Sequence, residues 1–404
     1  MLMRFRLWLG LLLVLGGVLP VWAQDESPLK LSAEYSMGFD SNLFRLPAGT
    51  DALAATGKSS AAEQMDVTTL SLNFSTSLGL QQFELALALA DSQYLNFGYL
   101  NATLHNYNAV WRWSLTPQLH GVLVSERKES LNSFADYAGL GSDRQRNLRN
   151  EISTRLDAVY EIDGPWRLLG GLAQATQTNE KTLVAQGDYS ATSVNAGLGY
   201  AFSSGSLLTL ARKSERGQYL NRVVSFTDLN DDEFHQTTHD LRLHWMLTGN
   251  NSADVNVAHV NRTHPNFSQR NYSGFNTGAS LNWLFTAKSA LTLGHSRELA
   301  VYATPDANYS QTDRISLMPT WQFSPKTLLS LRHEWSRIDY LGSPAAAAAS
   351  QRSDLTRDTA LTLSWKPNRQ IMLSAARQIA TRSSSQTGLD YDSRMALFSA
   401  KYTY

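Results

Sequence analysis

The chain has 404 residues, with Lys+Arg and Asp+Glu balanced at 35 each, and this balance gives no broad basic surface for nucleic acid. It contains no cysteine, so neither a disulfide framework nor thiolate metal ligands shape it. Beyond the N-terminus no stretch reaches the roughly 20 apolar residues of a spanning helix, which excludes a helical membrane protein, yet 10 Trp and 16 Tyr accompany a negative mean hydropathy, as in a membrane barrel with two unlike faces.

Residues 1–23 read as a cleaved signal peptide: Arg4 and Arg6 precede an apolar run from Leu7 to Val18, and Ala23 supplies the small residue at the cut. The mature chain, 24–404, is expected to be one outer-membrane domain. LKLSAEYS opens its first strand, and the small, polar FRLPAGTDALAATGKSSAAEQ forms the longest loop, folded into the mouth or mobile.

From residue 66 onward a strand, a short break and another strand recur about every 40 residues, which makes the unit a hairpin. The breaks are TPQ (116–118), DGP (163–165), SSG (203–205), GNN (249–251), AKS (287–289), PKT (325–327) and PNR (367–369), with QQ (81–82) a plainer member. Pro, Gly, Asn and Asp suit the dihedral angles of tight reversals. Within the units apolar residues alternate with polar ones. In DLRLHWML, Leu241, Leu243, Trp245 and Leu247 share one face, opposite Asp240, Arg242, His244 and Met246.

Aromatic residues precede the breaks: Trp113, Tyr160, Tyr200, Trp245, Trp283, Trp321 and Trp365, joined by Tyr402. Side by side they form a girdle at one membrane interface, which a propeller or a sandwich does not require. The fold class expected is all-β, a transmembrane antiparallel up-and-down β-barrel of about 18 strands (16–20), with both termini and the short turns on the periplasmic side of a Gram-negative outer membrane.

Such a barrel must pair its last strand with its first, because an open edge in hydrocarbon is costly. The ending MALFSAKYTY also resembles the C-terminal signal read by the barrel assembly machinery, a resemblance carried by Phe398, Tyr402 and Tyr404. Outer-membrane lipid and lipopolysaccharide are the other expected partners.

With apolar faces toward lipid, Arg127, Glu129, Lys213, Glu215, Asp240, Arg242, His244, Arg332 and Glu334 are expected to line the lumen. They suit either a hydrated path for polar, hydroxyl-rich or acidic molecules or a wall stiffened by its own ion pairs. No enzyme, metal or cofactor signature stands out. His235 and His239 are too far apart on a strand to chelate zinc, and His295–Ser296 and His333–Glu334 point to opposite faces. DLNDDEF (228–234) lacks the spacing of a calcium loop and reads as a solvated acidic tip.

The stretch Asp40, Ser41, Asn42, Leu43, Phe44, Arg45 resembles the start of the mature region in EpsL-type outer-membrane barrels, which are linked to exopolysaccharide biosynthesis and PEP-CTERM/exosortase systems. Ser41 departs from that pattern's second aspartate. The resemblance implies a part in exporting or assembling an extracellular polysaccharide, with periplasmic export components as partners, and implies no catalytic residues. Read locally, Asp40 and Asn42 favour a turn, Phe44 packs on the rim, and Arg45 reaches an acidic partner or a lipopolysaccharide phosphate. A general or substrate-specific porin for small polar solutes and a scaffold barrel with a filled interior are the alternatives from the lumen alone.

Overall fold

The computed structural model describes residues 28–135, 145–181, 187–302, 304, 306–343 and 352–404. The expected signal peptide, 1–23, and residues 344–350 of the Ala-rich stretch lie outside them.

Eighteen strands follow one another in chain order: β1 (Leu29–Asp40), β2 (Glu63–Leu78), β3 (Gln81–Tyr94), β4 (Ala102–Ser114), β5 (Leu119–Leu131), β6 (Leu148–Glu161), β7 (Trp166–Asn179), β8 (Tyr189–Ala201), β9 (Leu207–Tyr219), β10 (Glu233–Thr248), β11 (Asn251–Thr263), β12 (Tyr272–Thr286), β13 (Ser289–Val301), β14 (Tyr309–Ser324), β15 (Thr327–Leu341), β16 (Ser353–Trp365), β17 (Ile371–Ser384) and β18 (Tyr391–Thr403). Each pairs antiparallel with its neighbours, and β18 pairs with β1, so the sheet closes into a barrel. The seam runs from Ser32 opposite Thr403 to Asp40 opposite Met395, and Leu31 and Tyr404 exchange backbone hydrogen bonds of 2.8 and 3.1 Å beyond it. β18 is therefore paired on both sides, to β17 and to β1, and leaves no open edge.

Alternation assigns the two faces. Leu70, Leu72 and Phe74 of β2 stand opposite Leu89, Leu87 and Leu85 of β3, and Leu241 and Leu243 of β10 stand opposite Val257 and Val255 of β11. Followed strand to strand, these registers define one outer row rich in Leu, Val and aromatics and one inner row rich in Ser, Thr, Asn and charge.

The short connections fall at the expected breaks, except that Asn251, Ser289 and Thr327, the last residues of three of them, already pair in strands, and that the first reversal is shifted. Gln81 and Gln82 already pair with Leu78 and Ser77, so the first reversal uses Gly79 and Leu80, where Gly79 adopts φ 61°. Glycine takes this left-handed angle without a Cβ penalty. The longer connections gather at the opposite end. The first of them holds one turn of helix, α1 (Ala52–Thr56), capped by the Asp51 side chain.

Apolar packing inside the barrel is concentrated at that rim. Leu43, Phe44, Phe97, Leu100 and Phe134, from three different loops, form one buried cluster, with Phe44 edge-on to Phe97 and Phe134 at 4.7 Å each. A second cluster sets Phe234 against Tyr219 and Ala191.

Candidate functional site

The inner row carries most of the expected lumen residues, and they come as bonded pairs. Lys213 lies 2.5 Å from Glu215, His244 2.6 Å from Asp254, Arg332 2.6 Å from Asp358, and Arg314 3.0 Å from Glu334, while Arg242 contacts Asp240. Arg127 and Glu129 are the exception. Their registers, Arg127 opposite Tyr107 and Ile152, place both on the outer row, where they bond each other at 3.2 Å. Glu126 and Lys128 take the inward positions of β5. The phase of this strand is set by Trp111 and Leu156, which flank Leu123 on the outer face.

The lumen narrows toward the long-loop end. A cavity of about 520 Å³ is lined on one side by Arg314, Arg332, Glu334, Asp358 and Arg382 of β14–β17 and on the other by Arg149 of β6 and by Ala135. Strands so far apart around the wall share one cavity because the segment after β5 turns inward. Phe134 anchors it in the rim cluster, and Ala135 ends 2.8 Å from Nη1 of Arg382, which donates to its carbonyl; Nε of Arg382 also donates to the Leu389 carbonyl at 2.6 Å. Of the five arginines along this space, Arg357 belongs by register to the outer row, and the other four face two carboxylates. Guanidinium groups in a narrow, low-dielectric passage favour anions and bond carboxylates or phosphates through paired N–H donors.

The stretch from Asp40 to Arg45 is a built turn at the seam. The Asp40 carboxylate, 3% exposed, accepts from the Asn42 N–H at 2.9 Å and the Ser393 hydroxyl at 2.7 Å, and lies 2.8 Å from Nη1 of Arg45. Asn42 donates to the carbonyls of Leu46 and Asp392, across to β18. Arg45, at φ 57°, is thereby turned back onto the protein and lies 5.8 Å from the Tyr391 ring. Its acidic partner is internal. Leu43 and Phe44 enter the rim cluster, as a rim-packing role for Phe44 requires.

Trp113, Tyr160, Tyr200, Trp245, Trp283, Trp321, Trp365 and Tyr402 all lie on the outer row at the short-turn end, and Trp111 and Trp166 extend the ring. Phe398 of the C-terminal stretch is opposite Met37, and Tyr402 opposite Ala33. His295 and Ser296, like His333 and Glu334, point to opposite sides of the wall; His333 bonds Thr359 and Glu334 meets Arg314. Among the described residues no group of three or more His, Asp or Glu is placed to hold a metal ion.

The segment DLNDDEF does more than hold exposed charge. Asp231 is 2% exposed and accepts from the backbone and side-chain N–H groups of Asn266 at 2.8 and 2.9 Å. Hydrogen bonds from Asn266 hold its carboxyl below the usual range against the opposing effect of burial. Arg270 then ties three loops by donating to the carbonyls of Asp228, Leu229 and Thr304. Nearby, burial pushes His264 down to about 4. At another rim position Arg146 bonds Glu180 at 2.6 Å and holds that carboxyl low.

One repeat in the sequence is far longer than a hairpin. Asn96, Phe97, Asn101 and Asn106 are matched 170 residues later by Asn266, Phe267, Asn271 and Asn276. Their roles match too. Glu63 caps the first loop as Asp231 caps the second; Asn101 accepts from Tyr94 as Asn271 does from His264; Asn106 accepts from Glu129 as Asn276 does from Leu299. The signal was available as the repeated spacing N-F-x3-N-x4-N.

The closed 18-strand antiparallel barrel with its outer aromatic row is the fold of outer-membrane β-barrels. The family described as "Putative beta-barrel porin 2" matches residues 240–402. Among solved structures, the chain is similar to Pseudomonas aeruginosa OccK2 (OpdF), at 13% identity over 93% of this chain and 98% of that one, with a TM-score of 0.53. It is likewise similar to OccK3 (OpdO) of the same organism, at 17% identity over 93% and 95%, TM-score 0.51, and to the outer-membrane protein OpdK, at 11% over 93% and 99%, TM-score 0.51. At these identities the likeness is one of fold. No curated protein matches the chain.

Proposed function

We propose that the protein is an outer-membrane porin that admits small polar solutes, with a bias toward anionic ones. The observation that carries this reading is the narrowing itself: an arginine-rich cavity between β6 and β14–β17, bounded by an inward-turned segment held by Arg382. A passage of this kind selects by size and charge without catalysis. The similarity to porins of the same barrel architecture supports it over export of a polymer. The exopolysaccharide role implied by the stretch from Asp40 to Arg45 gains nothing from that stretch's surroundings, since its polar groups are spent on holding the seam.

The test is conductance of the purified barrel in planar bilayers, with reversal potentials under a KCl gradient. Stable ohmic steps with anion preference are expected. A closed trace under all voltages sinks the proposal and favours a scaffold barrel. Loss of surface polysaccharide in a deletion strain, with its precursors retained, restores the export reading.

A further inference from the structure

Among the described residues, three outward arginines on adjacent strands have no side-chain partner. Arg357 of β16 shares the outer row with Leu361, Leu363 and Trp365; Arg377 of β17 pairs with Leu361 and Ala396; Arg394 of β18 pairs with Ile379. All three are exposed, and among the described residues none of their guanidinium groups makes a hydrogen bond or ion pair. Arg394 is the diagonal neighbour of Arg377, about 7 Å away at Cα, and Arg357 lies opposite Thr381, one pair above Ile379. Elsewhere on this surface Arg127, Arg297 and Arg337 each hold a carboxylate, Glu129, Asp313 and Asp339. On the outer row of β16–β18 the one acid is Asp392, and it bonds none of the three.

Their height fixes what they meet. Arg357 lies eight residues along β16 from Trp365 in the girdle, and Arg394 eight along β18 from Tyr402. At about 3.3 Å per residue and a tilt near 40°, that is roughly 20 Å above the girdle, close to the upper edge of an apolar band ~25 Å tall. Arg377 is four residues along β17 from Leu373, the partner of Trp365, so its Cα sits roughly 10 Å above the girdle by the same measure, and its long side chain extends toward the level of the other two. Three like charges clustered there repel one another unless anions lie between them, and guanidinium binds phosphate through paired N–H donors.

From this we infer that the outer face of β16–β18 is a docking site for lipopolysaccharide, with Arg357, Arg377 and Arg394 clasping the phosphates of its lipid A and the Leu361–Leu363 surface meeting its acyl chains. The inference rests on the outer-membrane placement and the outward long loops, not on what the lumen conducts.

The experiment is native mass spectrometry of the detergent-solubilised full barrel titrated with bis-phosphorylated lipid A, with lipid A lacking both phosphates, and with inorganic phosphate as competitor. The wild type should retain bis-phosphorylated lipid A at least tenfold more tightly than the phosphate-free lipid. The triple variant Arg357→Gln, Arg377→Gln, Arg394→Gln should lose that preference, whereas Arg212→Gln, on the outer face of β9, should keep it. Equal retention of the two lipids, an unchanged triple variant, or complete displacement by millimolar phosphate would each overturn the site. Heat-dependent gel mobility reports folding of every variant. Single-channel conductance of the triple variant in neutral phosphatidylcholine should match the wild type, so a failed lipid test leaves the pore proposal standing and a closed wild-type pore leaves the lipid test interpretable.

Discussion

Asp40→Ala is the sharpest probe of how the barrel is locked. The carboxylate is almost fully enclosed and holds three groups at once: the Asn42 N–H, the Ser393 hydroxyl and the Arg45 guanidinium. Removing it leaves an arginine and a hydroxyl without their acceptor inside the seam. Breaking one side of a buried ion pair costs about 3–5 kcal/mol, and each buried hydrogen bond about 1 kcal/mol. Solvent reaching Arg45 at the rim moderates the first figure, so the expected total is about 3–4 kcal/mol. Because β1 and β18 close the cylinder, the loss should appear in global unfolding rather than as local fraying. Urea unfolding in lipid vesicles, followed by tryptophan fluorescence and gel mobility, measures it. Ser393→Ala alone should cost about 1 kcal/mol, and the double variant should fall short of the sum by about the same amount. A change below ~0.5 kcal/mol for Asp40→Ala would refute the claim that this turn secures the seam.

Three further outcomes are expected. A Cβ on Gly217 would lie 2.0 Å from the Phe234 ring, which is itself fixed beneath the Arg262 guanidinium, so Gly217→Ala should destabilise by about 1–3 kcal/mol in the same urea assay, and an unchanged midpoint would show that this ring is free to move. Neutralising the carboxylates of the narrowing, Glu334→Gln with Asp358→Asn, should raise anion over cation permeability severalfold in reversal-potential measurements, and Arg314→Gln with Arg332→Gln should lower it; no change from either pair would place the selectivity elsewhere. For His264 the folded value, about 4, lies below the unfolded 6.5, so its neutral form is the one that fits the fold. Its contribution is complete above pH ~6.5 and is lost as pH falls toward 4, at most about 3 kcal/mol. Hydrogen exchange of residues 264–271 should accelerate between pH 6.5 and 4 beyond the intrinsic trend, and His264→Gln should flatten that response.

The wall was legible because its rule is local. Each strand must show lipid one face and water the other, so Leu241, Leu243 and Trp245 announce their neighbours, and the aromatic before each short break marks the same height every time. β5 was not legible for the same reason inverted. Leu119 and Leu123 on one face compete with Val122 and Val124 on the other, and only the strands beside it decide the phase. The narrowing was hidden more deeply, since it depends on Arg382 meeting Ala135 across 247 residues of chain. Arg45 suggested an external phosphate only while Asp40, five residues earlier, was read as a turn former rather than as its partner.

The matching loops near Asn101 and Asn271 carry a historical consequence. An offset that preserves the capping acid and the bracing asparagines in two places eight strands apart points to a gene segment copied in tandem, β2–β9 giving rise to β10–β17 or the reverse, with β18 and β1 added as the clasp. An ancestral eight-strand module of this kind has the strand count of the smallest free-standing barrels, so expressing β2–β9 alone asks whether half of this cylinder still remembers how to close.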